Sequence, residues 1–309
     1  MPNSLFIREQ LNRVSNTVIE TEFPEFQLAS GQMIDIESPV GAGYETYSYD
    51  LMTKVGSAAI IANGAEDLPL VNAYVERRYG RYYTLANAYQ YTIDDLEHAQ
   101  VANTPLTATM AVTAREVMEG KWDSLAYEGD PNYDILGLLN YPGIPEDTAT
   151  NDGNSNGGTN STKWQHKTPV QIYRDLRKPA SDMRIATKGK YFPAVYGLPQ
   201  KQYDLIAETP YPDNAGSETI LSFFLKTQRQ SPTGVQDVLP VPRLFEAFNG
   251  VDGLIAYTKR RDRQELKLGM DFTQLGVQIE NLSYKVPCRM RVGGIVVYRP
   301  YAMRRLVGI

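Results

Sequence analysis

The stretch Thr104-Pro105-Leu106-Thr107-Ala108-Thr109-Met110-Ala111-Val112-Thr113-Ala114-Arg115-Glu116-Val117-Met118-Glu119-Gly120-Lys121-Trp122-Asp123-Ser124-Leu125-Ala126-Tyr127-Glu128-Gly129-Asp130 decides the fold. Thr104 suits an N-cap, and Pro105 suits the first helical position, where its missing N–H would have no partner anyway. Met110, Ala114, Val117, Met118, Lys121, Trp122 and Leu125 then fall at three- and four-residue steps. That spacing predicts one mostly apolar face, with Met110, Val117, Met118, Trp122 and Leu125 as its core. The helix runs to about Tyr127 and stops near Gly129-Asp130-Pro131. At 1.5 Å per residue it is about 35 Å long.

Working toward the N-terminus, Ile93-Asp94-Asp95-Leu96-Glu97 predicts a short helix. Residues 44–91 alternate on two limbs, Tyr44 to Ile61 and Val71 to Tyr91, around the turn Asn63-Gly64-Ala65-Glu66-Asp67. This reads as one long hairpin, and a two-stranded ribbon is marginal in water unless another surface covers it. Residues 1–30 read as an arm with a short amphipathic helix over roughly 4–18, broken before Pro24.

Toward the C-terminus, residues 132–145 form a turn-and-strand segment. Residues 146–167, with Asn151-Asp152-Gly153-Asn154-Ser155-Asn156-Gly157-Gly158, read as a mobile surface loop. Helices are predicted from Thr168 to Ala186, from Leu198 onward and from Ser217 to Lys226. Strands are predicted at Tyr191–Tyr196 and Gly253–Tyr257, and Gly276–Ile279 is expected to pair with Arg291–Pro300. The mixture is α+β, not a regularly wound parallel sheet.

The chain has 309 residues, with 31 Lys+Arg against 36 Asp+Glu, a net charge of −5. This balance gives no electrostatic reason for tight nucleic-acid binding over the whole surface. Tyr is in excess, 21 against 9 Phe and 2 Trp, which suits surfaces that are wet first and covered later. The start lacks a secretory signal, and no stretch is apolar enough to span a membrane. The single Cys288 allows no intrachain disulfide and fits a reducing cytoplasm.

Chemistry is sparse. His98 and His166 read as surface or loop residues, and Cys288 as a buried inert thiol. Two histidines and one cysteine are too few for a usual structural zinc site. Gly41-Ala42-Gly43 lacks the third glycine and the following helix of a phosphate cradle. Asp94, Asp95 and Glu97 read as helix capping. Lys259-Arg260-Arg261-Asp262-Arg263 reads as a solvated turn, with nucleic-acid or intersubunit contact as the alternative, and Arg304-Arg305 is similar. No catalytic residue, cofactor site or metal site is expected. Lys54, Arg77, Arg78 and Arg81 on the hairpin face Glu45, Asp50, Glu66 and Asp67 on or before its tip. Such charges suit cross-strand pairs or pairing with a neighbouring subunit equally.

The order of arm, hairpin, long helix, Glu128-Gly129-Asp130, Ile135-Leu136-Gly137-Leu138-Leu139-Asn140, polar loop, α/β lobe and final strand resembles the major capsid proteins of tailed bacteriophages with the Hong Kong 97-type fold. Phe192-Pro193-Ala194-Val195 ahead of Leu198-Pro199 resembles the strand-then-helix unit of that family's axial lobe. The resemblance is specific over about residues 104–143. It implies an N-terminal arm (1–30), a strand and extended loop (31–92), a spine helix and peripheral lobe (93–145), a flexible loop (146–167), an axial lobe (168–270) and return strands to the peripheral lobe (271–309).

It also implies a non-enzymatic subunit without cofactors, self-assembling as hexamers and pentamers into an icosahedral shell around double-stranded DNA of a tailed phage or prophage. Assembly would take place in the host bacterial cytoplasm. The partners would be a portal, possible decoration proteins and, because the arm is too short to hold a scaffolding domain, a separate scaffolding protein unless the chain is already trimmed; no membrane is involved. Lys–Asn crosslinking in some relatives has no transferable motif around Lys54. Encapsulin-like shells enclosing cargo proteins are the alternative. A Tyr-rich cytoplasmic enzyme or ligand-binding protein is a further one.

Overall fold

A computed structural model describes residues 26–37, 39–41, 43–58, 69–101, 106–154, 160–211 and 218–309. The expected arm helix, the Thr104-Pro105 helix start, the Asn63–Asp67 turn and Ser217 lie outside the described residues. The chain runs β1 (Thr46–Val55), β2 (Asn72–Arg81), β3 (Tyr83–Thr92), α1 (Ile93–Val101), α2 (Leu106–Glu128), β4 (Gly129–Asp130), β5 (Ile135–Leu136), β6 (Glu146–Thr148), β7 (Gly153–Asn154) and β8 (Asn160–Ser161). It continues through α3 (Pro169–Ala186), β9 (Val195–Leu198), α4 (Gln200–Glu208), α5 (Ile220–Arg229), β10 (Asp237–Pro240), β11 (Gly253–Tyr257), β12 (Gln264–Gln274), β13 (Gln278–Glu280), β14 (Ser283–Val297) and β15 (Arg304–Val307).

One lobe is built on the 15-residue strand β14. It pairs antiparallel with β3 along one side and with β12 and then β13 along the other. Helix α2 lies against this sheet, burying Ala114, Met118, Trp122, Leu125 and Ala126 among Leu266, Cys288, Met290, Val292 and Ile295. The Trp122 indole donates to the Gly293 carbonyl at 3.3 Å, and the Asn87 amide on β3 donates to Ala114 O at 2.8 Å. Val117 is a correction: it is 48% exposed. The buried stripe follows four-residue steps from Ala114, and Val117 is turned about 100° from Met118. Met110 is half-buried.

The last two turns of α2 are buried on a second side, because residues 26–34 pack there with Leu28, Met33 and Ile34 fully enclosed. Asp123 Oδ1 accepts the N–H groups of Leu28 and Ala29 at 3.0 and 3.1 Å, and its Oδ2 lies 2.8 Å from Arg243 Nε. Burial pushes the Asp123 carboxyl up, against these partners.

The end of α2 explains the Gly-rich signature that follows it. Gly129 has φ +72°, a conformation that ends helices and suits glycine. The N–H groups of Leu138 and Leu139 donate to the carbonyls of Ala126 and Tyr127 at 2.8 and 2.9 Å, satisfying acceptors that the helix leaves open. Asn140 stitches the same corner, accepting from Gly137 N and donating to Glu128 O, both at 2.8 Å. A Cβ on Gly137 would lie 2.4 Å from Tyr127 O and from Gly129 N, so the two chain segments can approach only with glycine there.

The second lobe is a mixed sheet, β10-β9-β11-β15-β6, with α3, α4 and α5 on one face. All of β11 is buried. Leu254 and Ala256 face the helices with Phe224 and Leu306, while Ile255 and Tyr257 face the core of the first lobe. A strand covered on both faces is continuously apolar, as Gly253-Leu254-Ile255-Ala256-Tyr257 is. Thr168 and Gln171 form a capping box at α3.

Three expectations about lobe boundaries change. Residues 146–167 do not form only a mobile loop: β6 pairs with β15 at the sheet edge, Trp164 is fully buried, and the buried Lys167 ammonium pairs with Asp175 of α3. The 155–159 part lies outside the described residues. Strand β15 belongs to the second lobe's sheet, not to the first lobe's return strands, because it pairs with β11. Strand β12, expected over residues 264–270 inside the axial lobe, pairs along its whole length with β14 of the other sheet. The expected pairing of Gly276–Ile279 with Arg291–Pro300 is also replaced: β13 folds back on the start of β14, Gln278 opposite Lys285.

Candidate functional site

Strands β1 and β2 form an antiparallel ribbon with ten paired positions, from Thr46 opposite Arg81 to Val55 opposite Asn72. No third strand joins it among the described residues. The expected single hairpin through Tyr91 is corrected at this point. The return limb divides at Tyr82, after which β3 pairs with β14 for ten residues. Along β2 nearly every residue is exposed, whereas β3 alternates. Leu70, Val71 and Tyr79 are 83%, 73% and 75% exposed, and Met52, Val55, Tyr74 and Val75 are also open to solvent. These apolar side chains are interspersed with charged ones such as Asp50 and Arg77, and exposed apolar surface on an unpartnered ribbon is a feature of protein–protein contacts.

The hairpin charges mostly stay within it. Arg77 stands opposite Asp50 and holds both carboxylate oxygens, at 2.7 and 3.0 Å. The Arg77 guanidinium keeps the Asp50 carboxyl below the usual carboxylate range. Arg78 pairs with Glu76 of its own strand at 3.1 Å. Lys54 stands opposite Ala73, and neither it nor Arg81 has a charged partner among the described residues. Glu66 and Asp67 lie outside the described residues.

The hairpin root is a site that the sequence reading missed. Tyr47 lies across Gly80, where a Cβ would come within 2.2 Å of the ring. The Lys267 ammonium sits 5.4 Å from the Tyr47 ring centre and 5.7 Å from that of Tyr298. It donates to Glu37 Oε1 and Glu265 Oε2, both at 3.0 Å. Tyr82 donates to the other Glu37 oxygen at 2.7 Å, and Tyr298 to Glu265 at 3.1 Å. Tyr47 packs on Tyr82 at 5.1 Å, and Tyr49 meets Tyr298 edge-on at 5.0 Å. The only sequence signal was Glu265-x-Lys267 with its two side chains on one strand face, together with the Tyr excess.

A ribbon that buries little of itself, carried on two packed lobes, describes a subunit built for assembly, and the comparisons agree. Residues 56–309 match the family model described as Major capsid protein. The chain belongs to the major capsid protein family. Its fold matches the capsid of Myoviridae phage XM1 with a TM-score of 0.80 at 18% identity, covering 100% of both chains. It also matches the capsid of the native GTA particle, TM-score 0.63 at 13% identity, over 96% of this chain and 94% of that one. The type 1 encapsulin shell protein EncA of Myxococcus xanthus (strain DK1622) is 27% identical over 134 residues. That match spans 42% of this chain and 45% of the encapsulin, less than half the length of either.

The chain is therefore a structural, non-enzymatic shell protein with the Hong Kong 97-type fold, a class whose members assemble with their own kind into the capsid. The basic runs divide: Lys259, Arg260 and Arg261 are exposed, as expected of a solvated turn, while Arg263 and Arg305 are buried. Lys259 donates to Gly31 O and Gln32 O at 2.6 and 3.1 Å, Arg263 is buried over the Tyr191 ring at 5.3 Å, and Arg305 donates to Leu138 O at 2.7 Å. Arg304 pairs with Asp147. Asp95 caps α1 by accepting from Thr92 N at 3.0 Å. His166 Nδ1 lies 2.9 Å from the Ser161 hydroxyl, His98 lies in the last turn of α1, and Cys288 is buried against α2, its thiol pushed up by burial. Among the described residues no group of His, Cys, Asp and Glu could hold a metal ion, and no helix is long and apolar enough to cross a membrane.

Proposed function

We propose that this chain forms the icosahedral head shell of a tailed phage or prophage, enclosing packaged double-stranded DNA, with β1–β2 as the extended loop laid across a neighbouring copy. The observation that carries this reading is the ribbon itself. Its exposed Met52, Leu70, Val71, Tyr74, Val75 and Tyr79 are left uncovered by the chain that bears them. Contacts of this kind stabilise only on assembly. In this reading the β14 sheet with α2 is the peripheral lobe, and the β11 sheet with α3–α5 is the axial lobe around capsomer centres. Of the expected arm, residues 26–30 pack on α2 of this chain and residues 1–25 lie outside the described residues. In this reading capsomers are hexamers and pentamers, and portal and scaffolding proteins complete assembly in the host bacterial cytoplasm.

Negative-stain microscopy beside light scattering tests it. The wild-type chain, with a scaffolding partner where one is needed, forms closed particles of megadalton mass. Deleting residues 55–72 leaves folded subunits and removes the particles. Wild-type-like particles from the deletion overturn the role of the hairpin. The encapsulin similarity favours a second reading, a nanocompartment around a cargo protein. Nuclease-resistant DNA inside the particles supports the phage shell, and an enclosed protein supports the compartment.

A further inference from the structure

The hairpin leaves the body through one elbow, and the elbow is organised around a single buried cation. Lys267 is 5% exposed. Four stretches of chain meet at its ammonium: Glu37 from the segment after the arm, Tyr47 from the outgoing limb, Glu265 from its own strand, and Tyr298 from the end of β14. A fifth, Tyr82, stands where the return limb divides, and reaches the same cluster through Glu37 and through the Tyr47 ring. Burial alone would lower the ammonium pKa, but the contacts with Tyr298, Glu265 and Glu37 outweigh it and keep the group charged. A buried charge with two carboxylates and two ring faces has one favourable position, so the residues that meet it are held in register with it. The segment bearing Glu37 is itself fixed to β12: Glu37 N donates to Leu266 O at 2.9 Å, and Leu266 N to Asp35 O at 3.0 Å.

We propose that Lys267 is the positioning residue of the hairpin. It sets the angle at which β1 and β2 leave the body, and through Glu37 it couples that angle to the chain segment that follows the arm. The consequence for assembly rests on the hairpin being the contact with a neighbouring copy; the positioning itself does not. A subunit with the elbow set presents its ribbon in one orientation and does not have to order it on docking, which lowers the entropic cost of the contact.

The test is hydrogen exchange followed by mass spectrometry on the full chain, comparing wild type with Lys267→Met, Lys267→Arg, Glu37→Ala and the double variant. In Lys267→Met, peptides covering 44–52 and 76–83 exchange about tenfold faster or more, while those covering β9 and β11 keep their wild-type rates. Lys267→Arg, which keeps the charge, recovers part of the protection. Glu37→Ala loosens the same peptides, and adds less on top of Lys267→Met than it does alone, because the two act through one contact. Unchanged exchange at the root in Lys267→Met overturns the proposal. So does equal acceleration of β9 and β11, which would make Lys267 a general packing residue. Unchanged exchange in Glu37→Ala overturns the coupling to the segment after the arm. None of these readouts depends on particle formation, so a failure of the hairpin's assembly role is seen separately, in the microscopy.

Discussion

Strands β2 and β3 are consecutive, ten residues each, and separated only by Tyr82. Both carry Tyr, but β2 also carries Glu76, Arg77, Arg78 and Arg81 where β3 has no charged residue, and β2 is open to solvent almost throughout while β3 is covered on alternate residues. What stands beside them differs as well. β3 has β14 along its whole length and α2 behind it. β2 has only β1. Stability of the isolated subunit therefore comes from the packed cores of the two lobes, and β1–β2 adds little to it.

Substitutions can break that comparison. Trp122→Ala should have the largest effect on the subunit, about 3–5 kcal/mol, because it empties a fully packed site under β14; the urea midpoint measures it. A loss below about 1 kcal/mol would mean that the core is not where the stability lies. Gly137→Ala comes next. Its methyl group would meet backbone at 2.4 Å, so the α2 end must shift, at a cost of about 2 kcal/mol or more.

On the ribbon the order reverses. Met52 and Val75 stand opposite each other. Changing both to Thr should move subunit stability by no more than about 0.5 kcal/mol, as for other exposed sites, while the particle yield falls sharply in the microscope. Equal yields from the double variant would show that this face of the ribbon stays uncovered. The smallest effect belongs to Asp50 and Arg77. The folded-state pKa of Asp50 is lowered, so the stabilisation from the pair is complete above the ordinary value of 3.8. It is lost as pH falls below that value through the lower folded one. Exposed as the pair is, hydrogen exchange of the hairpin between pH 6 and pH 3 should show only a slight loosening in that window, absent in Asp50→Asn.

Much of the first lobe was legible. The four-residue spacing of Ala114, Met118 and Trp122, with the Glu128-Gly129 stop and the Gly137–Asn140 turn, states a helix, its buried face and its end in local chemistry. Val117 was misplaced because a three- and four-residue pattern admits a wider stripe than one sheet covers. The hairpin was legible up to its outgoing limb and its exposure, but not in its length, since Arg81-Tyr82-Tyr83 contains no Gly or Pro to mark a break. β14 was seen only in its second half. Its first half alternates apolar residues with Lys285, Arg289 and Arg291 around Pro287, which reads locally as a polar connection. The root cluster escaped because Glu37, Tyr47, Tyr82, Lys267 and Tyr298 are far apart in the chain, and no periodicity relates them.

The sequence by itself determined the α+β class, the long helix with its glycine-marked end, and a two-stranded ribbon of its own, because each follows from the spacing of neighbours a few residues apart. Only the tertiary structure decided where the return limb divides, which sheet receives β12 and β15, and how Lys267 holds the elbow. Those outcomes depend on which distant strand supplies the partner for an open backbone edge or a buried charge, and a local stretch of chain carries no information about its partner's position.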